Sequence, residues 1–323
     1  MNISQISAFR AVMTSSSISE AARKLGRTQP AVSLAIRSLE DSLGLALFER
    51  KGRQMVPVPE AHYLHAESEE ILDRLSSVTH TMRSLAGGNT GDLNVTAMPG
   101  PAAFIFPRFV ASVIDDLEKV NLSITSRSSQ QIEELARSQS IDFGFCDAPA
   151  RLKQSAQYEI EIISAGCFVA MPSTHDMPEL DPFSIRALDG VPMGGLQPSH
   201  THEKRSVSLF AEQGVYYRKV VESQTFMPLL QFVRTGKCLA LVDPLSVVNE
   251  LELKSTGGEV VFRRLDCNLR YDYAILSPVH RPLSQIAHKV RSKWRTSLFN
   301  LLDRVGAEPR WETCSASSPG SGA

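Results

Sequence analysis

The sequence predicts an α/β chain led by an N-terminal all-α winged helix–turn–helix domain, on three observations. Residues 18–53 place apolar side chains at helical spacing on both sides of a glycine, then turn basic and β-prone. Residues 60–85 form one long helical pattern with a narrow apolar stripe. Beyond a Gly-Gly-Asn-Thr-Gly break at 87–91, strand and helix patterns alternate to about residue 301.

Residues 4–15 give the first helix, with Ile6, Phe9, Val12 and Met13 forming the third wall of a small trihelical core. In the second helix, Ala21, Ala22 and Leu25 let the next helix cross closely, and Gly26 ends it. The third helix buries Val32, Ile36, Leu39 and Leu43, spaced four, three and four. Thr28 is its N-cap, and Pro30 sits in the first turn, where a missing N–H costs nothing. Gln29, Ser33 and Arg37 lie beside the buried stripe. An amide, a hydroxyl and a guanidinium on one exposed surface is the chemistry that reads base edges in a major groove. A helical hairpin with a merely solvated polar face is the alternative. Residues 48–58 read as a winged hairpin whose Arg50, Lys51 and Arg53 reach backbone phosphate or a minor groove. Up to Arg53 there are eight basic and four acidic residues, a net of +4, inside a chain of formal net charge −1. A local basic patch on a near-neutral body suits a protein that grips phosphates at one end.

In the long helix, Leu64, Ile71, Leu75, Val78, Met82 and Leu85 are spaced seven, four, three, four and three, a near-heptad seam. So narrow a stripe has nothing of its own to pack against, which makes a second copy its natural partner and supplies the two-fold symmetry that paired half-sites require. The alternating part begins with a strand at 93–97, a helix at 102–117, a strand at 122–125, a helix at 130–137 and a strand at 141–146. A second series runs through 167–171, 191–193, 206–212, 216–222, 226–234 and 239–242. A strand at 273–276 and a closing helix through Ile286, Val290, Trp294, Leu298 and Leu301 complete it. Such alternation argues for α/β units with ligand sites at strand C-termini.

The pattern carried by Ile18-Ser19, Ala21-Ala22, Leu25, residues 28–33 (TQPAVS), Ile36, Leu39-Glu40, Leu43-Gly44 and residues 47–50 (LFER) resembles the N-terminal signature of the LysR-type transcriptional regulators, a bacterial family. The resemblance covers essentially the whole chain except its last residues. It implies DNA contact from Thr28, Gln29, Pro30, Ser33, Leu34 and Arg37, with the wing beside them. It further implies an effector domain of two α/β subdomains resembling a type 2 periplasmic binding protein, crossed near 160–164 and again near 260–265. The expected divisions are 1–58 for the DNA reader, 59–90 for the linker helix, 91–305 for the effector domain and 306–323 for a disordered tail rich in Ser, Pro, Gly and Ala. Family analogy adds a dimer, or a dimer of dimers, whose effector-dependent rearrangement changes DNA bending and contact with RNA polymerase. The stretches VDPLSV at 242–247 and SPVHRP at 277–282 resemble regulators of amino-acid and opine metabolism, which implies an amino-acid-like effector. Departures from the family pattern are Leu34 in place of a polar residue, Val58 for threonine, and Ala61 and Cys238 for glycines. Leu34 is suited to a thymine methyl group.

In a doubly wound pair the ligand belongs in the cleft, met by strand ends and helix N-termini. Pro99, Gly100, Pro101 and Ala102 form one such junction, where exposed N–H groups favour a carboxylate; Ala102 stands where the family often carries a hydroxyl. Ser128 and Ser129 form a second junction, and Cys146 and Asp147 a third. Gln197, Ser199, His200 and His202, then residues 223–225 with Thr225, then Asp243-Pro244 come from the other subdomain. Asp147 and Asp243 are candidates to hold an ammonium group. The five cysteines (Cys146, Cys167, Cys238, Cys267, Cys314) are scattered, so neither a zinc site nor a disulfide framework is expected, and no cofactor is called for. No signal peptide or apolar run of the ~20 residues that span a bilayer is visible, which points to the cytoplasm. No nucleophile elbow, paired carboxylates or Cys–His arrangement marks an enzyme. A non-exported small-molecule binding protein of the same two-lobed fold is the rival reading.

Overall fold

The computed structural model describes residues 1–51, 54–87, 91–149, 155–175, 182–253 and 259–312. It forms two compact units, Met1–Asn89 and Thr90–Ala323.

In the first unit, α1 (Ile3–Met13) starts at Asn2, which exchanges capping hydrogen bonds with Gln5. The next helix, α2 (Ile18–Lys24), is capped by Ser17, and Gly26 at φ +61° turns the chain into α3 (Gln29–Leu43). Thr28 takes the N-cap position of α3 without a side-chain bond, and Gly44 ends that helix in the left-handed region at φ 72°. Phe9, Val32, Ile36, Leu39 and Leu47 are buried together between the three helices. Strands β1 (Phe48–Lys51) and β2 (Gln54–Pro57) pair antiparallel. The Glu40 carboxylate accepts the N–H groups of Leu47 and Phe48, at 2.8 and 3.2 Å, and so ties this wing to α3. One helix of 29 residues follows, α4 (Pro59–Gly87). Leu64 packs against the core of this unit, while Ile71, Leu75, Val78 and Met82 are exposed, so that part of the apolar stripe has no partner within its own unit among the described residues.

The second unit opens with β3 (Gly91–Ala97), α5 (Pro99–Ala103) and α6 (Ile105–Val113). The sequence reads one helix at 102–117. Pro107 cannot donate to the carbonyl of residue 103, so the helix breaks at Phe104 and stops at Val113. Next come β4 (Val120–Ser126), α7 (Ser129–Arg137), β5 (Phe143–Asp147) and β6 (Tyr158–Gly166). Then follow β7 (Phe168–Pro172), β8 (Pro192–Leu196), α8 (Thr201–Glu212), β9 (Arg218–Ser223) and α9 (Phe226–Arg234). After these lie β10 (Leu239–Val242), α10 (Pro244–Leu253) and β11 (Val260–Arg264). The unit closes with β12 (Arg270–Pro278), α11 (Gln285–Arg304) and β13 (Arg310–Glu312).

These strands make two sheets, and each sheet with its helices is a lobe. The first lobe orders its strands β13-β6-β12-β5-β3-β4, the second β11-β7-β10-β8-β9. The chain leaves the first lobe between β6 and β7, at Gly166 and Cys167, and returns between β11 and β12, at 265–269. Both crossings lie a few residues beyond the expected 160–164 and 260–265. Pairing is the reason: β12 runs antiparallel to β6 from Arg270 opposite Gly166 to Pro278 opposite Tyr158, so 160–164 is mid-strand. The expected disorder does not hold for residues 306–312. Ala307 is buried and accepts the Gly166 N–H at 2.7 Å, β13 covers the edge of β6, and Arg295 lies over the Trp311 ring at 4.4 Å. Residues 313–323 lie outside the described residues.

In each sheet the strand order reverses once. Strand β3 is flanked by its parallel neighbours β4 and β5; likewise β8 is flanked by β9 and β10. Crevices open at the carboxyl ends of strands where the order reverses. Those ends are Ala97 and Asp147 in the first lobe, Leu196 and Val242 in the second. Trp294, wholly buried between Phe106, Phe109 and Phe145, centres the first lobe's core. Helix α10 is fastened to the first lobe at both ends: the Leu245 N–H donates to the Tyr273 hydroxyl at 3.2 Å, and Glu252 pairs with Arg108 and Arg304 at 2.5 and 2.6 Å.

Candidate functional site

Two places collect the residues singled out in the sequence. The first is the outer face of α3. Thr28, Gln29, Pro30 and Arg37 are exposed, Ser33 is half-buried, and Leu34 is 68% exposed, so an apolar knob stands among an amide, a hydroxyl and a guanidinium. Gln5 of α1 donates to Ser38 at 2.8 Å and Arg27 to Ser4 at 2.9 Å, which fixes the reading helix on its support. Arg50 and Lys51 lie on β1, where only their backbone is described, and Arg53 is outside the described residues.

The second is a cavity of about 460 Å³ in the second unit, where the two crevices face each other. Pro99, Gly100, Pro101, Ser128, Ser129, Cys146 and Asp147 line it from the first lobe, and Gln197, His200, Thr225 and Asp243 from the second. Ala102 does not line it, because its methyl packs against the hydrophobic core. Helix starts surround the space. Ser128 caps α7 in a reciprocal pair with Gln131, His200 caps α8, and Thr225 stands at the N-cap of α9 without spending its side chain on the cap. Glu203 accepts the Leu196 N–H at 2.9 Å and so pins the end of β8.

Asp147 is the electrostatic centre of this cavity. Burial alone would raise its pKa. The hydrogen bond and charge of His200, with hydrogen bonds from Tyr271 and Ser129, outweigh that and hold the carboxyl below its ordinary 3.8. Ser129 donates at 2.7 Å and Tyr271 also donates, while His200 approaches from the other lobe at 3.5 Å through Nε2. The Nδ1 of His200 accepts the His202 N–H at 3.2 Å, so Nε2 is the nitrogen turned towards Asp147. Asp243, wholly enclosed, behaves differently. Burial pushes its pKa up, and the nearby Asp147 charge adds to that, against hydrogen bonds from Ser246 and Tyr273. Burial, with the charges of Asp147 and Glu133, likewise pushes up the pKa of the Cys146 thiol.

Tyr271, Tyr273, Glu133, Tyr158, Ser246 and Asn249 bear on the cavity and were not singled out in the sequence. A Tyr-x-Tyr pair within a strand is the signal that would have marked the first two, since both side chains take one face. His200 and His202 do not converge on a metal: the His202 ring is buried between the Cys167 sulfur at 3.9 Å and the Leu241 carbonyl at 3.4 Å. Among the described residues, no group of three His, Cys, Asp or Glu is placed to hold a metal ion, and no helix is long and apolar enough to cross a membrane.

Residues 3–62 match the model of the bacterial regulatory helix-turn-helix proteins of the lysR family, and residues 86–295 match the LysR substrate binding domain. Among curated proteins, the transcriptional activator protein LysR of Escherichia coli is 25% identical over 313 residues, 95% of this chain and 96% of that one. The octopine catabolism/uptake operon regulatory protein OccR of Rhizobium meliloti is 28% identical over 254 residues, 77% of this chain and 82% of that one. Among solved structures, full-length CbnR complexed with its target DNA superposes with a TM-score of 0.68 at 19% identity, covering 92% of this chain and 100% of that one.

Proposed function

We propose that this chain, which belongs to the LysR family of DNA-binding transcriptional regulators, is switched by an amino-acid-like effector held in the interlobe cavity. It is a regulator and not an enzyme. In this reading residues 1–58 read DNA, 59–90 link two copies, and 91–305 bind the effector. Gln29, Ser33, Leu34 and Arg37 meet base edges, Thr28 and Pro30 set the entry of the helix, and Arg50, Lys51 and Arg53 meet phosphate. The α4 seam joins two copies so that paired readers meet paired half-sites, in the cytoplasm and within reach of RNA polymerase.

The observation that carries the effector class is Asp147: a half-buried carboxylate kept ionised by three donors, with no lysine or arginine lining the cavity among the described residues. Such a group calls for a cation, and an α-ammonium supplies one. The effector's carboxylate meets the unspent helix start at Thr225 and the Gly100 N–H. Effector binding changes activity by favouring one arrangement of the lobes over another.

Thermal unfolding of the full chain against amino acids and plain organic acids tests this. A ligand at ~100 times its dissociation constant adds about 2.7 kcal/mol, a rise of roughly 5–10 °C for a unit of this size. A rise with amino acids alone supports the reading. A rise with plain acids and none with amino acids would remove the amine-binding role from Asp147.

A further inference from the structure

The loop that carries much of the second lobe's share of the cavity is held from behind. Strand β8 ends at Leu196 and α8 starts at Thr201, and between them Gln197, Ser199 and His200 line the cavity. A turn closes this loop, with the His200 N–H donating to the Gln197 carbonyl at 2.9 Å. At its root, both backbone groups of Leu196 are met by side chains. The N–H donates to Glu203 Oε2 at 2.9 Å, and the carbonyl accepts from Lys219 Nζ at 3.2 Å. Those two side chains pair with each other, Lys219 Nζ lying 3.1 Å from Glu203 Oε1, and the Tyr217 hydroxyl donates to the same oxygen at 3.2 Å. Glu203 is 3% exposed and stands in the first turn of α8. Lys219 comes from β9, is partly exposed, and also reaches Glu222 at 3.1 Å. Neither Glu203 nor Lys219 lines the cavity. Gly195 leaves the space that the carboxylate needs, since a methyl group there would lie 2.7 and 2.8 Å from the Glu203 oxygens.

A buried ion pair adds little to stability over apolar residues of the same volume, because desolvation offsets the attraction. Apolar residues, however, can hold neither an N–H nor a carbonyl. Glu203 and Lys219 hold both groups of the residue from which the loop departs, one from the helix that ends the loop and one from the neighbouring strand. We infer that Glu203 and Lys219 are positioning residues of the effector site: they touch no ligand, and they set where Gln197, Ser199 and His200 meet it. The inference rests on the effector-binding reading above.

The test joins amide hydrogen exchange with ligand binding, both on the full chain. Lys219→Met removes the ammonium, Gly195→Ala pushes the Glu203 carboxylate aside with both charges kept, and Lys219→Arg keeps a cationic donor in place. The binding probe is whichever compound of the amino-acid and organic-acid panel above raises the unfolding midpoint most. Residues 196–202 are expected to exchange about tenfold or more faster in the first two variants, with the other strands of the second lobe unchanged. The probe is expected to bind those variants about tenfold or more weakly, and Lys219→Arg to match the unaltered chain in both measurements. If Lys219→Met unfolds, Gly195→Ala carries the test. Exchange at 196–202 equal to that of the unaltered chain overturns the clamp. Faster exchange there with unchanged affinity overturns its bearing on the effector. Faster exchange throughout the second unit assigns the pair to general stability and overturns the inference too. Silence from the whole panel overturns the effector reading itself, while exchange at 196–202 still judges the clamp.

Discussion

Tyr271 and Tyr273 pack their rings 4.8 Å apart on one face of β12, yet their hydroxyls serve opposite lobes. Tyr271 donates to Asp147 of the first lobe and Tyr273 to Asp243 of the second. The strand that returns the chain to the first lobe thus holds the carboxylate at the mouth of each crevice. Tyr273→Phe strips a donor from a fully buried carboxylate and an acceptor from the Leu245 N–H. A loss of ~1–3 kcal/mol is expected, seen as a fall of roughly 5 °C in the unfolding midpoint by calorimetry. An unmoved midpoint would mean that Asp243 does not depend on this hydroxyl.

His202 makes stability sensitive to mild acid. Burial, with the nearby His200 charge, pushes its pKa down from 6.5 to about 4, against the Leu241 carbonyl. A histidine depressed in the folded state is protonated first in the unfolded chain, so its contribution is whole above pH 6.5 and is lost as pH falls from there towards 4. The loss is on the order of 3 kcal/mol across that window. Asp243 acts in the opposite sense: its raised pKa makes the folded state take up a proton first, adding stability as pH falls towards 3.8. Urea titrations of the chain and of His202→Gln at pH 7, 6, 5 and 4 separate the two. The gap between the curves should close as the pH drops, and a gap independent of pH would contradict a neutral buried ring.

On the reading helix, Arg37→Ala and Leu34→Ala should each weaken operator binding by ~1–3 kcal/mol and relax preference at one or two base positions. For Leu34 the affected position should be a thymine, and replacing that thymine by deoxyuridine should cost the unaltered chain affinity and the Leu34→Ala chain none. Fluorescence anisotropy on a selected operator reads both. Unchanged affinity and footprint in both variants would displace α3 from the major groove.

Leu75→Asp places a charge in the middle of the exposed stripe of α4 and should dissociate the oligomer. Sedimentation velocity checks it, and an intact assembly would rule out the seam. Operator affinity should fall with the oligomer, because linked half-sites bind at a high effective concentration.

The reading helix, the wing and α4 were legible in the sequence because each is local: spacing, a turn glycine and a proline in a first turn fix them without distant contacts. The junctions that line the cavity were legible for a related reason, since strand ends and helix starts leave marks such as Ser128-Ser129 or Asp243-Pro244. What escaped depends on contacts between distant segments. Tyr271 matters through Asp147, 124 positions away. Ala102 was drawn in by analogy with a hydroxyl position, but a methyl beside the core is better buried than exposed to a ligand. The crossings slipped by a few residues because the length of β6 is set by β12, more than a hundred positions later in the chain. Nothing in the composition of the Ser- and Gly-rich tail announced that Ala307 and Trp311 would fold back.

Helix α10 follows a strand of the second lobe but is bolted at its start by Tyr273 and at its end by Arg108 and Arg304, all on the first. Sheet membership and mechanical membership therefore part company at the short joint between Val242 and Pro244. The wall that α10 gives to the cavity is therefore anchored like a part of the first lobe, although the chain enters it from a strand of the second.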